Sequence, residues 1–100
     1  MSVTANKEGT KLTIVAEGKI GTTSAGELEQ AVKDNISGAT ELIFDFEKLE
    51  YLASAGLRVI LSAAKTMKNQ GSLKVIKVNP GVMEVFTFTG MVDVMDIEPA

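Results

Sequence analysis

Two hydrophobic periods take turns along this chain, and that alternation limits the fold more than any other feature. Thr10 to Glu17 alternates, with Leu12, Ile14 and Ala16 on one side, as a half-buried strand requires. Glu41 to Phe46 (ELIFDF) alternates as well. Leu42, Phe44 and Phe46 face one way and Ile43 the other, which suits an inner strand covered on both faces. Leu73 to Val78 and Val92 to Ile97 are further strand segments, and Ser2 to Asn6 is a short one before a turn at Lys7-Glu8-Gly9. Between these stretches the apolar residues recur at helical spacing. The first set is Leu28, Ala31, Val32 and Ile36; the second is Leu57, Ile60, Leu61, Ala64 and Met67; the third is Val82, Val85 and Phe86.

The residues between the segments agree with this division. Ser24-Ala25-Gly26-Glu27 has the spacing of a capping box, in which the serine oxygen accepts from an amide three residues on and the glutamate reaches back. Gly38 stands where a left-handed terminating residue is wanted, and Gly71 and Gly90 follow the other two helices. Asn79-Pro80 is a cap followed by the residue favoured at the first helical position. Gly18 to Gly21 and Glu47 to Leu52 read as loops. The predicted order is β-β-α-β-α-β-α-β, an α/β fold with helices packed on a mixed sheet, because the first two strands share a tight turn and the rest need crossovers. The 100 residues suit one domain spanning 1–100. Phe44, Phe46, Phe86 and Phe88 are expected in its core, and Met91 and Met95 as gap-fillers.

What the chain lacks narrows its chemistry. It contains no histidine, so a Ser-His pair, an imidazole metal ligand and the usual neutral-pH proton shuttle are all excluded. It contains no cysteine, which removes disulfides and thiolate metal sites. Ten basic residues against 13 acidic ones give a net charge of −3, the wrong sign for nucleic acid. The nearest basic cluster, Arg58, Lys65, Lys68 and Lys74, reads as a solvated helix face. Asp93, Asp96 and Glu98 lack the spacing of a calcium loop, and no glycine-rich phosphate cradle is present. No cofactor is implied. MSVTANKEG lacks the basic start and apolar centre of a signal peptide, and no apolar run is long enough for a bilayer, so a cytoplasmic protein is expected.

One residue stands out against this background. In EYLASAGLRVIL, Ser54 sits between Ala53 and Ala55, after a strand and loop and just before a helix. The plain reading is a helix cap. The functional reading starts from the unpaired amides at a helix N-terminus, which attract negative charge. A phosphate on Ser54 would be held by the amides of residues 55 to 57. It would place a charge of about −1.5 to −2 in a patch of Leu52, Ala53, Ala55 and Gly56, where small neighbours otherwise permit close approach of another protein. A hydrolase nucleophile of the usual kind is not signalled, because G-x-S-x-G and a histidine base are both missing; composition leaves a Ser-Lys pair open, but nothing in the sequence places a lysine beside Ser54.

The string LEYLASAGLRVIL resembles the signature of the STAS domain, the module shared by anti-sigma factor antagonists and the cytoplasmic tails of sulfate transporters. The likeness extends to the Gly18 to Ile20 loop, the strand ELIFDFEKLEYL and the segment GSLKVIKVNP. It implies a non-enzymatic partner switch. The unphosphorylated antagonist binds an anti-sigma factor that is also a serine kinase; phosphorylation at the position of Ser54 releases it, and a phosphoserine phosphatase restores it. The implied contacts are Ala53, Ala55, Gly56 and Arg58 beside Ser54, with Gly21, Thr22 and Thr23 as a second loop. Many family members carry acids where this chain has Ala53 and Gly21, which implies either a kinase with a changed surface or an unphosphorylated scaffolding module. A third class, an enzyme or ligand-binding domain on a similar scaffold, has few acid-base groups to work with. The sequence leaves weak self-association open.

Overall fold

A computed structural model of the chain describes residues 2–100. The elements run β1 (Ser2–Glu8), β2 (Lys11–Ile20), α1 (Ala25–Asn35), β3 (Glu41–Asp45), β4 (Leu49–Leu52), α2 (Ser54–Met67), β5 (Ser72–Val78), α3 (Pro80–Phe88), a 3₁₀ turn (Met91–Asp93) and β6 (Asp96–Pro99). The sheet order is β1-β2-β3-β5-β6, with β4 pairing on β2 away from that path. Only β1 and β2 are antiparallel, joined through Gly9 at φ +61; the other ladders are parallel. The mixed sheet is therefore as expected, because a two-residue turn reverses a strand and a helical crossover does not.

Leu12, Ile14 and Ala16 of β2, Leu42 and Phe44 of β3 and Val75 of β5 are buried beneath the two longer helices. α1 contributes Leu28 and Val32, and α2 contributes Ile60, Ala63 and Met67. Each such side chain stabilises the fold by roughly 1.5–3 kcal/mol relative to exposure when it is as large as Leu or Phe. Phe46 stacks on Phe86 with ring centroids 6.5 Å apart and meets Phe44 at 5.8 Å, which seats α3 at the end of the sheet. Ile43 faces the other way and lies outside this cluster, though it is itself buried.

Six expectations are corrected. The first strand extends to Glu8 rather than ending at Asn6. β2 does not end before Gly18 but continues to Ile20. It pairs with β3 up to Val15 and with β4 from Gly18, at φ +83, and the register shifts just after Gly18, where Glu50 is the extra residue on β4. The segment Glu47 to Leu52, expected as a loop, contains β4, whose buried residues Leu49 and Leu52 stand three apart and so conceal the strand period. In α2 the buried face holds Val59 and Ala63, while Leu61 is 36% exposed and Ala64 half-buried, so the stripe is rotated from the one read in sequence. The last segment begins as a 3₁₀ turn, because Gly90 at φ +77 turns Met91 into the core, and only Asp96–Pro99 is strand. Phe88 is also not in the core: it is 94% exposed.

Candidate functional site

β2 and β4 run parallel with Ile20 opposite Leu52, so their carboxyl ends lie side by side. One chain leaves there through Gly21, Thr22 and Thr23 toward α1, and the other passes through Ala53 directly into α2. The two exits are tied, since the Ala53 amide donates to the Ile20 carbonyl at 2.8 Å. Gly56 lets the first turn of α2 rest on both strand ends. A Cβ there would lie 2.5 Å from Leu52 Cδ1 and 3.1 Å from Ile20 Cγ2. Gly56 is buried, so it sets the depth of the helix and its surface does not face outward.

Ser54 is the first helical residue of α2, and the cap is Ala53, at φ −80 and ψ 165. This corrects the reading of Ser54 as the cap. The Ala53 carbonyl accepts from the amides of Gly56 at 2.9 Å and Leu57 at 3.2 Å. The amides that helix geometry leaves to an anion are therefore those of Ser54 and Ala55, not the three of residues 55 to 57. Alanine at the cap offers no side-chain acceptor for them, and no acidic residue occupies the first turn. The positive end of the helix dipole is thus uncompensated where Ser54 stands exposed between half-buried Ala53 and Ala55.

Arg58 follows one turn later on the same helix face and is exposed. The three ion pairs of the described residues, Lys33–Glu29, Lys48–Glu17 and Lys77–Glu47, do not include it. Ala55 and Arg58 line a groove of about 370 Å³ whose other wall is Ala25, Gly26 and Glu29 of α1. Thr22 and Thr23 are exposed in the turn that leads into that wall, and Gly21 is half-buried. The structure thus gathers the two groups of residues singled out in the sequence at one end of the sheet.

Ser24 is the residue whose part was misread. Its hydroxyl does not cap α1; it accepts from the Gly21 amide at 2.8 Å, so the expected capping box is absent. Ser24 itself has helical backbone angles, φ −76 and ψ −13, which turn its side chain back onto the loop that precedes it. It braces Gly21, Thr22 and Thr23 from within. Asp93, Asp96 and Glu98 do not converge: among the described residues no group of three acidic side chains could hold a metal ion. No helix among them is long and apolar enough to cross a membrane.

Comparison with known proteins agrees in sequence and in shape. The profile of the STAS domain matches residues 2–100. BtrV of Bordetella bronchiseptica, which carries the name of an anti-sigma factor antagonist, is 30% identical over 99 residues, or 97% of this chain and 85% of BtrV. A solved anti-sigma factor antagonist from Mycobacterium paratuberculosis superposes with a TM-score of 0.89 at 19% identity, over 99% of this chain and 86% of that one. The Bacillus cell fate determinant SpoIIAA in its phosphorylated form gives 0.77 at 18% identity, over 96% and 90% of the respective chains. The two superpositions speak for the fold, while the profile and BtrV speak for descent. The chain belongs to the STAS domain family, on its anti-sigma factor antagonist branch.

Proposed function

We infer that this protein is an anti-sigma factor antagonist that works by partner switching at Ser54. With a free hydroxyl it binds an anti-sigma factor that is also a serine kinase; a phosphoryl group on Ser54 ends the complex, and a phosphoserine phosphatase renews the binding form. It regulates transcription in the cytoplasm by binding, not by catalysis. The observation that carries this reading is the exposed Ser54 hydroxyl at the first position of α2, flanked by half-buried alanines.

The physical sequence is short. Ala53 and Ala55 allow a partner backbone close to the start of α2. Arg58 and the groove beside it, together with Thr22 and Thr23, supply the polar contacts beside Gly21, and Gly56 keeps the first turn of α2 low against the strand ends. A phosphate adds about −1.5 to −2 of charge and substantial bulk at the centre of that patch, where a partner would have to desolvate it.

Titration with the cognate kinase-type partner tests the reading. Ser54→Ala binds and is not released by ATP, Ser54→Asp binds more weakly, and mass spectrometry of the wild type finds one phosphoryl group on Ser54. Equal affinity of the two variants would falsify the switch. Ala53 and Gly21, which stand where many relatives carry acids, favour a second reading: a STAS scaffold that binds partners and is never phosphorylated. That reading expects partner binding with no phosphoryl group on the chain.

A further inference from the structure

Ser54 and Arg58 stand one helical turn apart in α2, and both are exposed. On a helix that spacing brings the two Cβ atoms to about 5–6 Å on one face. Helical side chains also lean toward the N-terminus, so the natural reach of the long Arg58 side chain is back over the turn that begins with Ser54. The same arrangement is already filled across the groove. In α1, Lys33 reaches back one turn to Glu29 at 3.6 Å, with the anion first and the cation second. That is the favoured order for such a pair, because it also complements the helix dipole. α2 has the cation of this pair and lacks the anion.

Among the described residues no other group claims Arg58. It and Glu29 are the charged residues that line the groove of about 370 Å³, and Glu29 is held by Lys33. The first turn of α2 carries no acidic residue, and Arg58 belongs to none of the three ion pairs. The next basic residue along α2 is Lys65, two turns further on. We propose that a phosphate on Ser54 is clamped by Arg58 of the same helix, which takes from the docking groove its one unpaired charge. The clamp rests on the reading of Ser54 as phosphoacceptor. A phosphate dianion offers the planar guanidinium fork a bidentate partner, and Arg58 is placed to take it without any movement of the backbone. Phosphorylation then alters the surface twice: it adds negative charge at the start of α2 and draws the cation away from α1. A partner carboxylate held by Arg58 in the hydroxyl form would lose its counter-charge in the same step.

Phosphoserine inserted at position 54 during translation makes the test independent of any kinase. The full chain is prepared as wild type, Arg58→Lys and Arg58→Gln, each with and without the phosphate. In phosphorus NMR the phosphate of the wild type loses its second proton at the lowest pH, that of Arg58→Lys at a higher pH and that of Arg58→Gln at the highest. The order follows because a paired cation favours the dianion and the guanidinium fork pairs better than an ammonium. The Nε–H signal of Arg58 shifts when Ser54 carries the phosphate and shifts back as acid protonates it. The proposal is overturned if Arg58→Gln titrates together with the wild type, or if the Nε–H signal ignores the phosphate. A kinase-type partner that leaves Ser54 unmodified would instead remove the partner switch, while the clamp would still be seen in the phosphoserine chain.

Discussion

Asn79 Nδ2 donates to the Leu49 carbonyl at 2.7 Å, tying the start of α3 to β4, the strand that delivers Ser54. The same side chain caps α3, its Oδ1 accepting from the Val82 amide at 2.8 Å. Asn79→Ala removes the cap and the tether together and is expected to cost about 2–3 kcal/mol. Asn79→Ser keeps a cap and loses only the tether, for about 1 kcal/mol. Urea denaturation of the two variants measures the difference. Equal losses would mean that the link to Leu49 contributes nothing.

Gly71 and Gly26 make opposite predictions. A Cβ on Gly71 would overlap the Thr40 carbonyl, a backbone group held in place by the Ser72 amide at 3.0 Å. Neither side can yield, so Gly71→Ala should cost about 3 kcal/mol. Gly26 lies in α1 with nothing within 4 Å of a Cβ, and Gly26→Ala should add about 0.5 kcal/mol through helix propensity. Melting curves report the first as a fall of more than about 10 °C and the second as a small rise.

Long elements with an undisturbed period were legible in the sequence, and elements shaped by a neighbour were not. β3 shows both faces in ELIFDF because it lies between β2 and β5, and Asn79-Pro80 declares the start of α3 because a cap is a local bond. β4 could not be read, since a four-residue strand with Leu49 and Leu52 inward has no period of two. Phe88 looked like core by residue type alone; its exposure depends on how α3 is rolled on Phe46, which is a tertiary fact. Ser54 was found as the candidate, yet its place one residue inside the helix was missed. The pattern A-S-A-G contains a good capping residue, and the Ile20–Ala53 hydrogen bond decided the boundary.

That one-residue difference is measurable. If Ser54 capped α2, Ser54→Ala would cost about 1 kcal/mol. As an exposed first-turn residue it should change stability by less than about 0.5 kcal/mol. Ser54→Asp places a charge at the helix N-terminus and should add roughly 0.3–1 kcal/mol at low salt, a gain that disappears as ionic strength rises. Denaturation midpoints at two salt concentrations test both statements without any partner present.

Ala53→Asp tests what would hold a phosphate on Ser54. The extended backbone of Ala53 already suits a cap, and an aspartate there can accept from the first-turn amides and stabilise α2 by about 1 kcal/mol. The same carboxylate would occupy the Ala55 amide, one of the two open to a phosphate, and repel it. Phosphorylation of Ser54 should therefore raise the melting temperature in the wild-type chain and raise it less in Ala53→Asp. The comparison needs the phosphorylated and unphosphorylated forms of both chains, four melts in all. If the two increments are equal, the phosphate is not seated on those amides. The charge alone, and not its fixed placement at the start of α2, would then have to separate the partners.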